Sequence, residues 1–132
     1  MQAKAVDFVY YTVSDLDESV PFYRDVLGLP LESHIEDVGW AEFGVPPTTL
    51  ALRESTADAP GEPGTDGASG LALAVDDVEA AVEDLREADA TVVMDPFETG
   101  VCEMARVADP DGNQFTLHRR NDGTQGRRDP FE

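Results

Sequence analysis

The chain is poor in the residues on which many reactive or nucleic-acid-binding proteins depend. Cys102 is the only cysteine, which excludes an intrachain disulfide and a thiolate metal cluster. Lys4 is the only lysine, beside eight arginines, so no basic stripe exists to replace the counterions of phosphates. No apolar run approaches the roughly 20 residues of a membrane span, and the amino terminus does not resemble a signal peptide. We therefore expect a cytoplasmic protein without nucleic-acid or membrane partners.

Positive charge is scarce and negative charge is abundant. There are 28 acidic residues against nine basic ones, which gives a formal net charge of −19. Soluble domains of this size normally carry a net charge of about 2–8 in magnitude. The acids are spread over the whole chain, whereas an ordinary protein with an acidic tail would hold them in one block. Because molar salt screens such self-repulsion, this composition predicts a protein of a halophilic organism.

The first and second halves of the sequence share the same pattern of apolar and acidic residues. Residues 8–16 and 71–78 each carry an apolar strand that runs into an acidic helix start, 62 positions apart (77 minus 15). Self-similarity on this scale predicts two equivalent supersecondary units that bury their apolar faces together. We expect one domain overall, made of four parts in chain order: a first module (1–54), a flexible linker without large apolar side chains (55–69), a second module (70–119) and a disordered tail (120–132).

Periodicity and turn chemistry predict the same order of elements in both modules. A strand over about 5–13 is followed by a helix from near Asp17, with Ser14 or Asp17 as its cap and Gly28 at its left-handed end. Apolar residues at helical spacing predict the second helix from Val78 to Ala88. The remaining strands are predicted over residues 30–35, 39–43, 48–54, 90–94, 101–108 and 114–119. The order βαβββ, twice, predicts an α+β fold.

Two segments resemble a known family. Phe22-Tyr23 followed by Leu27-Gly28, and the turn Asp-Pro-Asp-Gly-Asn at 109–113, are similar to signatures of the vicinal oxygen chelate superfamily. This is the group of glyoxalase I, bleomycin-resistance proteins and extradiol dioxygenases. The resemblance covers about residues 5–119. It implies a curled, eight-stranded mixed sheet in two halves, with helices outside and a ligand cavity inside.

The same resemblance locates the positions at which metal-using members bind a divalent ion. These positions fall here on Phe8, Ala51, Gly70 and Thr116. None is an effective ligand, since such an ion needs imidazole, carboxylate or thiolate groups. We therefore expect no metal and no other cofactor. A non-standard site, built from Asp7 after a register slip with Glu42, Glu103 or His118, is the alternative.

Strand alternation predicts most of the residues that line the implied cavity, and Trp40 is expected in its wall, with stacking on a flat ligand as a second role. These residues combine aromatic, small and polar side chains: Phe8, Tyr10, Thr12, Trp40, Thr49, Ala51, Arg53, Gly70, Ala72, Gln114, Thr116 and His118. Mostly apolar pockets with a few placed polar groups are typical of small-molecule sites. Arg53 would suit an anionic or carbonyl group of the ligand, or else would be a solvent-facing ion-pair partner.

Two functions are compatible with these residues. The first is a metal-free, resistance-type module that binds a small, partly aromatic molecule, commonly as a homodimer. The second is a lyase, isomerase or dioxygenase of the glyoxalase type with an unconventional metal site. No catalytic residue stands out. The ligand's identity, and whether the modules pair within one chain or are exchanged between two, stay open at this point.

Overall fold

The computed structural model describes residues 1, 2, 4, 6–57, 61–64 and 71–126. The chain divides into two compact units, Met1–Pro63 and Gly64–Glu132. The first contains β1 (Val9–Val13), α1 (Leu16–Pro21), a π-helical continuation (Phe22–Val26), β2 (Leu31–Ile35), a short 3₁₀ helix (Glu36–Val38), β3 (Trp40–Val45) and β4 (Thr48–Glu54). The second contains β5 (Ala72–Ala74), α2 (Val78–Glu87), β6 (Thr91–Glu98), β7 (Cys102–Ala108) and β8 (Gln114–Arg120). In the described part of the chain, neither helix has the length and apolar character needed to cross a membrane.

The two units have equivalent topologies. The strand order is β1-β4-β3-β2 in the first sheet and β5-β8-β7-β6 in the second. In each sheet the first strand pairs in parallel with the last strand, and the other pairs are antiparallel. The predicted α+β fold of two βαβββ modules is confirmed.

One face of the first sheet forms a hydrophobic core with the first helix. Alternate residues of its strands are almost fully buried there: Tyr11, Val13, Ala41, Phe43, Leu50 and Leu52. Tyr23 follows α1, and its ring centroid lies 5.8 Å from that of Phe43. The period of two along each strand places these side chains on the helix-covered face. The opposite side is called below the helix-free face of the first sheet.

The second sheet repeats this arrangement with α2. The buried strand residues are Leu73, Ala105, Val107, Phe115 and Leu117, and the helix contributes Val78, Val82 and Leu85. The helix residues recur at spacings of four and three, which is the spacing of one helical face. The helical pattern predicted from Val78 is therefore confirmed.

The start of α1 differs from the prediction. Its cap is Asp15 rather than Ser14 or Asp17, because the Asp15 side chain accepts a hydrogen bond from the Asp17 amide (2.9 Å). The Leu16 amide donates to the carboxylate of Glu54 at the end of β4 (2.8 Å). This second acceptor is 38 residues away along the chain, so local capping rules could not reveal it.

The end of this helical region agrees better with the prediction than its start does. Pro21 has no amide to donate, and the α-helix continues from Phe22 as a π-helical turn. The Leu27 amide donates to the Phe22 carbonyl at 3.0 Å. Gly28 has a φ of +73°, which confirms the predicted left-handed position.

Several strand ends also differ from the prediction. The first strand begins at Val9 instead of residue 5, and Ala5 itself lies outside the described residues. β3 continues to Val45, and β6 continues to Glu98 despite Pro96. β6 is an edge strand with register shifts in its pairing to β7, and a missing amide is tolerated at such a place.

The linker and the tail are described only in part. The Ser55 hydroxyl donates to the Gly61 carbonyl (2.8 Å) and accepts from the Gly61 amide (3.1 Å). At the other end of the chain, Arg120 belongs to β8 and donates to the Gly126 carbonyl at 3.0 Å. Residues 58–60, 65–70 and 127–132 lie outside the described residues. Flexibility of the linker and disorder of the tail therefore stay predictions.

Candidate ligand-binding face

Strand pairing arranges the predicted residues of the first unit in rows on its helix-free face. Tyr10, Ala51 and Glu42 are register partners across β1, β4 and β3. The next row consists of Thr12, Arg53 and Trp40. Partners in register point to the same side of a sheet, so side chains that are 41 positions apart in the sequence (51 minus 10) are neighbours here.

Aromatic side chains dominate this face. Phe8 precedes β1 and meets Trp40 edge to face, with ring centroids 5.4 Å apart and an interplanar angle of 88°. Phe8 and Tyr10 are each 46% exposed, although large aromatic side chains are normally well buried. Ala51 is fully buried in the middle of this group. Exposed rings that flank a covered small residue form a surface on which a flat molecule could stack.

Trp40 is held by a carboxylate. Its indole Nε1 donates to Glu42 Oε1 at 3.0 Å. The two residues are separated by one position on β3, so the period of two places both on the same face. The sequence offered Glu42 only as part of a non-standard metal site, and its contact with Trp40 depends on side-chain direction.

A second carboxylate on this face was missed by the sequence analysis. Glu32 lies in the irregular part of β2, and its Oε1 is 2.7 Å from the position that a Cβ of Gly44 would occupy. Gly44 is the register partner of Thr49, another predicted cavity residue, which is half-buried. The missing side chain of Gly44 therefore leaves the space that the Glu32 carboxylate fills.

Arg53 lies against the linker at Gly61. A Cβ on Gly61 would collide with Arg53 Nη2 and would be 3.0 Å from the Thr12 methyl group. Thr12 is only 3% exposed. The Gly61 backbone therefore covers this end of the helix-free face, and the hydrogen bonds to Ser55 hold it there.

The described residues that were predicted for the second unit lie on the side of the second sheet away from α2, called below its helix-free face. Ala72, Thr116 and Arg106 form one row. The next row consists of Ala74, His118 and Met104. Arg106 and Met104 were missed, although counting in twos along β7 would have found them.

Gln114 and Gly70 are the other two predicted residues of the second unit. Gln114 is the partner of Ala108 and is half-buried. Gly70 lies outside the described residues.

The side chains at the family's metal positions do not fit a divalent ion. Phe8 and Ala51 have no donor atoms, and Thr116 offers only a hydroxyl. Within the described ranges, no group of three or more His, Cys, Asp or Glu side chains is placed to hold a metal. We therefore derive no chemistry through a metal.

The carboxylate and the imidazole weighed above as alternative ligands of a non-standard metal site differ in their place on the second sheet. Glu103 pairs with Arg119, whereas His118 pairs with Met104. Neighbouring strand positions point to opposite faces, so Glu103 and His118 lie on different sides of the second sheet. Asp7 precedes β1 and is exposed.

Arg24 and Asp25, in the helical region of the first unit, form an ion pair that shifts the pKa of each. A hydrogen bond from the Arg24 guanidinium lowers the pKa of Asp25, and the same contact raises the pKa of Arg24. Both side chains are exposed, so solvent screens the pair.

Comparison with known proteins gives a consistent family. The sequence profile of the Glyoxalase/Bleomycin resistance protein/Dioxygenase superfamily matches residues 5–117. No curated protein matches the chain. TnmS3, an antibiotic binding protein from Streptomyces sp. CB03234, is 29% identical, with 92% of this chain and 99% of that chain covered and a TM-score of 0.73. A glyoxalase/bleomycin resistance protein from the same strain is 28% identical (87% and 100% covered, TM-score 0.69). Lactoylglutathione lyase from Agrobacterium tumefaciens, at 20% identity (89% and 94% covered, TM-score 0.69), is similar in fold alone.

Proposed function

The chain belongs to the Glyoxalase/Bleomycin resistance protein/Dioxygenase superfamily, and on that basis we propose that it binds a small, partly aromatic organic molecule without a metal. The helix-free face of the first sheet is the proposed binding surface. The observation that carries the proposal is the exposure of Phe8 and Tyr10 beside Trp40, whose ring is fixed by Phe8 and Glu42.

The chemistry of this face supports binding of an organic molecule rather than metal catalysis. Fixed aromatic rings supply stacking area with little loss of side-chain entropy. Glu42 and Arg53 supply charged groups at defined positions in neighbouring rows. A largely apolar surface with a few oriented polar groups is the usual form of a small-molecule site.

A related protein supports the same function. TnmS3 is described as an antibiotic binding protein, and nearly its whole length is covered by the similarity to this chain. This similarity supports the proposal that the chain is a binding module of the superfamily. The proposed ligand contacts of the second unit are Ala72, Gln114, Thr116 and His118, together with Gly70. We also propose that the protein is a homodimer and that it belongs to the cytoplasm of a halophilic organism. Sedimentation in molar salt would test the dimer.

Ligand binding can be tested through Trp40, the only tryptophan of the chain. A panel of flat aromatic compounds is titrated against the protein in molar potassium chloride while Trp40 emission is recorded. We expect saturable quenching by some members and a rise in melting temperature with their concentration. Tyr10→Ser should weaken both effects, whereas Val101→Ser, which changes an exposed side chain of the second unit, should leave them unchanged. Equal loss in both variants, or no saturable quenching, would contradict the proposal.

Metal independence is tested separately. We expect substoichiometric nickel, zinc and iron in the purified protein and no glyoxalase activity after metal addition. One tightly bound ion per chain, whose removal by a chelator lowers stability, would favour the metal-dependent enzyme instead.

A further inference from the structure

We propose that Glu42 selects ligands that carry a positive charge, so that the preferred ligand of the helix-free face is a flat aromatic cation. This inference rests on the proposed function, because it concerns the same surface. It adds the chemical class of the ligand and assigns the discrimination to one side chain.

Glu42 lies among the aromatic rings of the helix-free face. It shares a row with Tyr10 across the buried Ala51 and is hydrogen-bonded to Trp40, which in turn contacts Phe8. A cation is attracted to the faces of such rings by their quadrupoles. A carboxylate beside the rings adds a direct partner for the same positive group.

The Glu42 carboxylate can accept further hydrogen bonds. The bond to Trp40 uses Oε1, and Glu42 makes no other hydrogen bond or ion pair with the residues that the structure describes. Oε2 can therefore accept from a ligand while Oε1 keeps the indole in place. Glu42 thus acts in two ways, by orienting the stacking ring and by supplying charge next to it.

The charged side chains follow one another in a definite order along this face. Arg53 lies in the row of Trp40, on one side of Glu42, and the Glu32 carboxylate lies at Gly44, on the other side. A ligand's positive group is therefore repelled at the Arg53 end and attracted toward Glu42 and Glu32. The aromatic part of the ligand then falls on Trp40 and Tyr10.

Three acridines of the same shape test this proposal: the 9-aminoacridinium cation, neutral acridine and the acridine-9-carboxylate anion. Trp40 quenching is measured at mildly alkaline pH in molar potassium chloride, which screens the long-range attraction of any cation to the acidic protein. We expect the cation to bind more tightly than neutral acridine, and the anion to bind most weakly.

Glu42→Gln separates charge from orientation, because its amide oxygen can still accept from Trp40. We expect this variant to keep the emission spectrum of the free protein and its affinity for neutral acridine, while its affinity for the cation falls about fivefold. Glu42→Leu removes both contributions and should weaken neutral acridine as well. The matched control is Glu83→Gln, which removes the same charge from the exposed side of α2 and should change neither affinity.

The outcomes distinguish this inference from the function on which it rests. If the acridines quench Trp40 saturably but Glu42→Gln binds the cation as Glu83→Gln does, charge selection is wrong and the binding face stands. If Glu42→Gln weakens neutral acridine and the cation equally, Glu42 acts only through Trp40, and charge selection is again wrong. If none of the three acridines quenches saturably, the inference is overturned, and the panel of flat aromatic compounds described above decides whether the binding face stands.

Discussion

Asp109 and Asn113 show how single residues build the turn between β7 and β8. Asp109 is only 4% exposed, and its Oδ1 accepts from the amides of Asp111 (3.0 Å) and Asn113 (2.8 Å). Its Oδ2 accepts from Asn113 Nδ2 at 2.9 Å. A buried carboxylate is stable only with such donors. Gly112 completes the turn with a φ of +90°, a conformation that side chains rarely allow.

Removing the Asp109 carboxylate should destabilise the protein through this turn. Asp109→Ala leaves buried donors without acceptors and should lower the free energy of unfolding by about 3 kcal/mol. Asp109→Asn keeps one oxygen for the two amides but faces the Asn113 amide group with another donor, so it should lose roughly half as much. Urea unfolding in molar salt measures both.

The control is Asp122→Ala, because Asp122 accepts from the Thr124 amide in a similar but exposed turn. It should change the free energy of unfolding by less than about 0.5 kcal/mol. Equal losses at Asp109 and Asp122 would mean that burial does not govern the energy of these turns.

The strands of each sheet separate a core face from a helix-free face. β5 has only three residues, yet Leu73 is 8% exposed while Ala72 and Ala74 on either side are exposed. Leu73 lies in register with Leu117 and Ala105, which are also buried. The short strand therefore contributes one apolar side chain to the core under α2.

This alternation predicts very different effects at adjacent positions. Leu73→Ala should leave a core cavity and lower the free energy of unfolding by about 2–5 kcal/mol. Ala72→Ser, one position away, should change it by less than about 0.5 kcal/mol. Thermal and urea unfolding of both variants decide the matter. A silent Leu73→Ala combined with a destabilising Ala72→Ser would reverse the two faces of the second sheet.

Charge is the property that belongs to the whole molecule. The net charge of −19 is distributed over both units, and nine basic side chains, among them Arg86 and Arg119 in ion pairs with Asp95 and Glu98, cannot neutralise 28 acids. Exposed ion pairs contribute little to stability. The folded state therefore carries a self-repulsion that depends on the ionic strength of the solvent.

Stability should accordingly rise with salt. We expect the melting temperature to increase steeply with potassium chloride into the molar range, because added ions screen the repulsion among the acids. Sodium chloride at the same ionic strength should give the same curve if screening is the cause. A melting temperature that stays flat between low and molar salt would contradict the halophilic origin inferred from composition.

The candidate site was predictable from the sequence only in part. Alternation placed Tyr10 and Arg53 on the side away from the helix, where the strand register also has them, because the period of two is a local property. It could not tell that Ala51 and Thr12 on that side are covered, since burial depends on which distant segments lie above them. It also missed Glu32, whose direction is set by an irregularity in the pairing of β2 with β3.

The sequence by itself determined the order of the elements, their buried faces and the family, because periodicity, turn residues and short motifs are carried by neighbouring positions. Only the tertiary structure decided which distant residues meet. It placed the Glu54 carboxylate at the start of α1, Gly61 against Arg53, and Glu42 in one row with Tyr10. The physical reason is register. A shift of one residue between two strands would leave every local pattern intact and yet exchange the side chains that face each other.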